Sequence, residues 1–154
     1  IINTIFTLVA LWLVDRAGRR TLLILGTSIQ TVAFAVVGLL YLIGGHPLGI
    51  VAGVMAFVAG HAVGNGVVAW VIIAEIFPTK IRGRAMSVAT TSLWIFAYLG
   101  NQVFPAAQAG LGNHGVFWVF GFMAFINVLF GLFVVPETKG YSLEEIERIF
   151  QRKK

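Results

Sequence analysis

The side chains able to do chemistry are few and strongly segregated. All 11 Lys and Arg residues fall in three places: Arg16, Arg19 and Arg20; Lys80, Arg82 and Arg84; and the tail from Lys139 onward. The acids keep the same company, with Asp15 beside the first cluster, Glu75 beside the second, and Glu137 opening the third. Arginine presents a planar fork of donors to a carboxylate, and at a partly desolvated boundary such pairs count for more than on an open surface. These clusters can therefore form ion pairs, or serve topology alone. His61 stands near the centre of an apolar run, where a modest shift would carry it through physiological pH. It suits either proton transfer or, as a neutral ring, a bond to substrate, water or a backbone carbonyl. No nucleophile, acid and base gather at one depth, no metal-ligand spacing appears, and there is no cysteine. An enzyme is not expected, nor is a cofactor beyond possible coupling to protons.

The elements that must position these groups are long and apolar. Only 11% of the residues are charged while 58% are apolar, against about 25% charged in an ordinary soluble domain, so the lipid bilayer is the expected surrounding. Five apolar spans are legible: 1–14, 21–43, 50–77, 85–108 and 116–135. A lipid-exposed backbone must satisfy its own hydrogen bonds, so each span is predicted to be helical despite its Val, Ile and Phe content. The first span covers only about 21 Å of helix, short of a hydrocarbon core of about 30 Å. With no initiator Met ahead of Ile1, it reads as a truncated helix rather than a signal peptide.

The connections alternate. Gly44 to Pro47 and Gly110 to Gly115 carry no Lys or Arg, whereas the others are densely basic. By the positive-inside rule the basic loops and the C-terminus are cytoplasmic, in a multi-pass protein of the cell membrane. The net charge of +5 belongs to these loops, which leaves no polar domain for nucleic acid. Residues 136–154 form a cytoplasmic tail in which Ser142 to Glu145 reads as the capped start of a short amphipathic helix.

Two features inside the spans point to a site. Gly64-Asn65-Gly66 either packs helices closely or interrupts a helix beside a cavity, as discontinuous helices do in transporters. Asn3 lies roughly 17 Å above the boundary at Val14 by helical rise, close to mid-bilayer, where an amide is expected to face a cavity. Asp15-Arg16-Ala17-Gly18-Arg19-Arg20 turns the chain in six residues, with Gly18 supplying the backbone freedom.

The stretch from Glu75 through Pro78 to Arg84, together with Pro136-Glu137-Thr138-Lys139-Gly140, resembles the sugar porter family of the major facilitator superfamily. That family includes bacterial xylose/proton symporters and facilitative glucose transporters. The resemblance covers the whole chain and implies an all-α membrane protein whose five transmembrane helices form most of the C-terminal half of a twelve-helix fold. It implies transport of a monosaccharide or related polyol by alternating access, with the missing N-terminal half of the same transporter as partner. It also implies a cytoplasmic gating network, with Asp15, Arg19, Glu75, Arg82 and Glu137 at the matching positions and Arg16, Gly18 and Arg20 in the same loop. Substrate contacts are implied at Asn3, Gly66, Trp70 and Trp94. His61 takes a position that is aromatic in the family, Val67 replaces a proline that would kink the helix, and Leu93 and Ala97 stand where amides are common. A membrane receptor that signals instead of cycling would want a long cytoplasmic extension, and the chain ends 14 residues after Gly140.

Overall fold

The computed structural model describes residues 1–135. It is all-helical among these residues: α1 (Ile2–Ala17), α2 (Arg19–Leu42), α3 (Pro47–His61), a π-helical segment (Ala62–Gly66), α4 (Val68–Ile76) and α5 (Arg82–Phe133). Three stretches are long and apolar enough to cross a membrane, namely Arg19–Leu42, Pro47–Glu75 and Arg82–Phe133, with Ile2–Val14 a shorter apolar helix. The tail predicted at 136–154, including Glu137, lies outside the described residues.

Sequence punctuation decides where the helices stop. Gly18 separates α1 from α2 at φ 91°, a left-handed conformation that a side chain would resist. At the other end, the His46 imidazole accepts from the Leu48 amide at 3.2 Å and Pro47 occupies the first turn of α3. Both are ordinary helix-start devices.

The loop expected over Gly110 to Gly115 takes a tighter form. Helical geometry continues on both sides of one residue, Gly112, at φ 68° and ψ 173°. Phe104 and Phe120 would sit about 24 Å apart on a straight helix. Their ring centroids are 6.3 Å apart and nearly parallel. The 52-residue α5 is thus a helical hairpin, its halves folding back on each other at Gly112. Gln108 ties the turn by donating to Asn113 Oδ1 at 2.6 Å.

Packing centres on α2. On one side it runs antiparallel to α3 and the π segment, with Gly26 against Gly60 and Gly64, Val37 against Gly53, and Leu40 against Gly49. On the other it runs antiparallel to the distal half of α5, with Gly38 against Trp118, Phe34 against Gly121, and Ile24 against Gly131. A Cβ on Gly26 would lie 2.5 Å from the Gly64 nitrogen and 2.6 Å from the Gly60 carbonyl oxygen. The two backbones touch, which is the close approach that small residues permit between membrane helices. Thr27 is fully buried beside this crossing and satisfies its hydroxyl on the Leu23 carbonyl at 2.7 Å. The buried cluster of Val14, Leu22, Leu23, Val63, Val68 and Ile72 fills the space toward the basic end.

The proximal half of α5 packs differently. Trp94, Phe96, Tyr98 and Val103 are each at least 60% exposed, an apolar face suited to lipid or to another helix and not to water.

Three substitutions test these constraints. Gly26→Ala is expected to destabilise the protein by about 1–3 kcal/mol, because neither backbone can yield. Gly112→Ala is expected to cost about 1–3 kcal/mol through its glycine-only conformation, whereas Gly110→Ala, with open space around it, stays within roughly 0.5 kcal/mol. Thermal unfolding of the purified protein in detergent reads all three.

Candidate functional site

The break between α3 and α4 borders a cavity. In a π turn the ladder is loosened by one residue, and such turns recur at functional sites. Gly66 closes this one against His61, whose carbonyl oxygen would lie only 3.1 Å from a Cβ at position 66. Val67 takes φ −112°, ψ −52°. The regular helix is thus interrupted here without the proline that Val67 replaces, at a segment whose two glycines flank Asn65 and whose Gly64 meets Gly26.

Around this break lies a cavity of about 560 Å³ lined by His61, Asn65, Gly66, Trp70, Ala89 and Leu93, among others. It brings together three of the sequence candidates, His61, Gly66 and Trp70. Phe57 flanks the imidazole with ring centroids 6.1 Å apart. An amide, an imidazole and an indole in one apolar hollow can bind a hydroxylated ring: the polar groups replace water, and the aromatic face covers the apolar side of the ligand.

The other two candidates lie elsewhere. Asn3 is exposed on α1, where its Oδ1 accepts from the Thr7 hydroxyl at 3.0 Å. Trp94 is 67% exposed and lines a separate cleft with Thr90, Thr91 and Tyr98. Both lie on helices next to the break, but neither lines the cavity at Trp70. Sequence reasoning passed over Gln30 altogether, although a lone amide within the 21–43 span was a usable signal. Asn127, another amide within a span, makes a helix-to-helix contact, its Nδ2 donating to Asn65 Oδ1 at 3.3 Å.

At the basic end the arginines do distinct work. Arg19 joins the α1–α2 turn to the end of α4: Nε and Nη2 both reach Glu75 Oε1 at 3.2 Å, and Nη1 donates to the Val14 carbonyl at 3.2 Å. The partners are 16% and 21% exposed, so the pair is partly desolvated and more consequential than a surface one. Arg20 fastens the end of α5, donating from Nε to the Gly131 carbonyl at 3.2 Å and from Nη2 to that of Leu132. Arg16 lies over the Trp12 ring, 4.1 Å from its centroid. Arg82 donates to the Phe77 carbonyl at 3.3 Å, while its buried Nη2 has no partner among the described residues. The Asp15 side chain and Glu137 fall outside the description. The α1–α2 turn and the ends of α4 and α5 thus meet at one end of the bundle, as the alternation of loops predicts.

Comparison with known proteins fits this geometry. The family model described as "Sugar (and other) transporter" matches residues 1–150. The chain belongs to the sugar porter family of the major facilitator superfamily. This sugar porter is 37% identical to the facilitated trehalose transporter of Anopheles gambiae over 158 residues, covering 96% of this chain and 20% of that protein. It is also 37% identical to the trehalose transporter of Polypedilum vanderplanki, covering 96% and 31%. Among solved structures, the inward open xylose transporter XylE from E. coli superposes with a TM-score of 0.89 at 33% identity, covering 96% of this chain and 33% of that one. The proton:xylose symporter XylE bound to 6-bromo-6-deoxy-D-glucose gives 0.89 at 32%, covering 96% and 32%. The chain therefore spans about a third or less of the length of these relatives, all of which are transporters.

The Arg19–Glu75 pair is open to a double-mutant cycle. Arg19→Gln and Glu75→Gln are each expected to lower stability by about 1.5–3 kcal/mol. The double variant is expected to fall well short of their sum, because the two side chains share one interaction. Thermal unfolding of the four proteins checks it.

Proposed function

We propose that this chain supplies five membrane-crossing helices, most of the C-terminal half, of a transporter that moves a monosaccharide or related polyol by alternating access. The helical hairpin at Gly112 supports the count of five, since each half of α5 is long enough to cross. The basic end faces the cytoplasm of the cell membrane in this reading, supported by the charge asymmetry of the loops. The N-terminal half of the same transporter completes the site.

The observation that carries the proposal is the cavity at the π break, with His61, Asn65 and Trp70 on its wall. Trp70 covers the apolar face of the sugar. Asn65 and His61 offer hydrogen bonds to its hydroxyls, Gly66 lets the ring approach the backbone, and Asn3 and Trp94 contribute from neighbouring helices. The Arg19–Glu75 pair and Arg20 belong to the gating network, holding helix ends together at the face that must open and close, and the family resemblance assigns Asp15, Arg16, Gly18, Arg82 and Glu137 to the same network.

The acids of described position, Asp15 and Glu75, both sit at the basic end. A proton crossing with the sugar would need His61 or a residue outside this chain, and we assign His61 to substrate binding as a neutral ring. Facilitated diffusion needs no such carrier, and the gradient arm below separates it from symport.

Complete transporter in proteoliposomes is expected to take up at least one of labelled xylose, glucose, inositol and trehalose, with or without a proton gradient. Absence of uptake and of binding across that panel would reject the assignment. Trp70→Ala is expected to raise KM by about fivefold or more, given about 1 kcal/mol or more for an aromatic face covering a ligand ring. His61→Phe is expected to raise KM while leaving any proton-driven accumulation intact; loss of accumulation alone would move His61 into coupling.

A further inference from the structure

Asn65 lines a second cavity as well as the first. This one, of about 450 Å³, lies among α2, the π segment and the distal half of α5, and its polar groups are Gln30, Asn65 and Asn127. Phe34, Phe57 and Phe120 wall it, with the Phe34 ring 4.6 Å from that of Phe57 and 5.8 Å from that of Phe120. Asn127 Nδ2 donates to Asn65 Oδ1 at 3.3 Å. Gln30 is 5% exposed, and its Nε2 has no partner among the described residues.

An amide pair in such surroundings is a directional constraint. Within apolar walls the alternative to pairing is an unsatisfied polar group, which is costly. Asn65 also sits inside the π segment, whose helical ladder is loosened. Returning that segment to α-helical register would change the phase between α3 and α4 by about 100°. His61 lies immediately before the π segment and Trp70 shortly after it, so their relative direction depends on that phase. Gly26 against Gly60 and Gly64 sets how near α2 stands, but glycines cannot fix rotation about the axis. The only side-chain hydrogen bond from the segment to another helix, among the described residues, is the one to Asn127.

We propose that Asn127 is a positioning residue of the substrate site: through Asn65 it holds the register of the π segment, and thereby the relative placement of His61 and Trp70. Gln30 stands in the same cavity as a second amide for Asn65 when the bond to Asn127 opens. The proposal rests on reading the His61–Trp70 cavity as the sugar site, although its structural half is measurable without sugar.

Hydrogen exchange of the complete transporter in detergent, with uptake measured in parallel, tests it. Asn127→Leu is expected to speed exchange of the amides at residues 62–68 by about two- to tenfold, the range of one lost hydrogen bond, and to leave residues 22–33 of α2 unchanged. KM for the transported sugar is expected to rise by a similar factor with Vmax less affected. Asn127→Gln, which keeps the amide, is expected to restore both. Should the Leu variant fail to fold, Asn127→Ser serves, since its hydroxyl is too short to bridge to Asn65. Unchanged exchange at 62–68 overturns the proposal, and so does equal acceleration throughout α2, which marks general loosening. Uptake of no sugar by the unmutated protein would reject the functional reading, and the exchange result would still decide the role of Asn127.

Discussion

The contact on which the described bundle depends is backbone against backbone, where Gly26 of α2 meets Gly60 and Gly64. No Cβ fits there, with approaches of 2.5–2.6 Å for one built on Gly26. Because α2 is held this close, its opposite face is left to receive the distal half of α5 through Phe34, Gly38 and the residues around Ile24. Because Gly64 lies inside the π segment, the same contact presses α2 against the one place where the facing helix departs from regular geometry. A polypeptide in apolar surroundings can tolerate such a departure only where protein covers it. The crossing supplies that cover, and the cavity beside Trp70 opens where the cover ends.

Charge organises the other level of the structure. Arg19 and Arg20 are neighbours in sequence and point to different helices, one to Glu75 at the end of α4 and one to the last carbonyls of α5. Two adjacent guanidinium groups therefore gather three helix ends. Arg20 acts as a cap for carbonyls that have no further turn to bond. Arg19 makes a charge-assisted pair, which breaks and reforms more readily than packed side chains do.

Much of this was legible beforehand, for identifiable reasons. The apolar runs and basic clusters follow from the cost of exposing peptide groups or charges to lipid, a cost that acts on composition directly. The interruption at Gly64-Asn65-Gly66 was legible because two glycines flank an amide in an otherwise apolar run. Its form was not, since nothing in the run distinguishes a π turn from a full break or from simple close packing. The turn over Gly110 to Gly115 was legible as a reversal, but only one of its residues leaves helical geometry. Asn3 was placed by depth and by the family resemblance. Depth says nothing of azimuth, and its amide bonds to Thr7 of its own helix.

From the amino-acid sequence alone came the helical class, the apolar spans, the segregation of charge to alternate loops and the motifs of a sugar porter. All of these are properties of single segments in a given solvent. The meeting of Gln30, Asn65 and Asn127 from three separate stretches, and the separation of Trp94 from Trp70, belong to the tertiary structure. They depend on how far each helix is rotated about its axis when glycine lets another backbone approach, and no single segment carries that rotation.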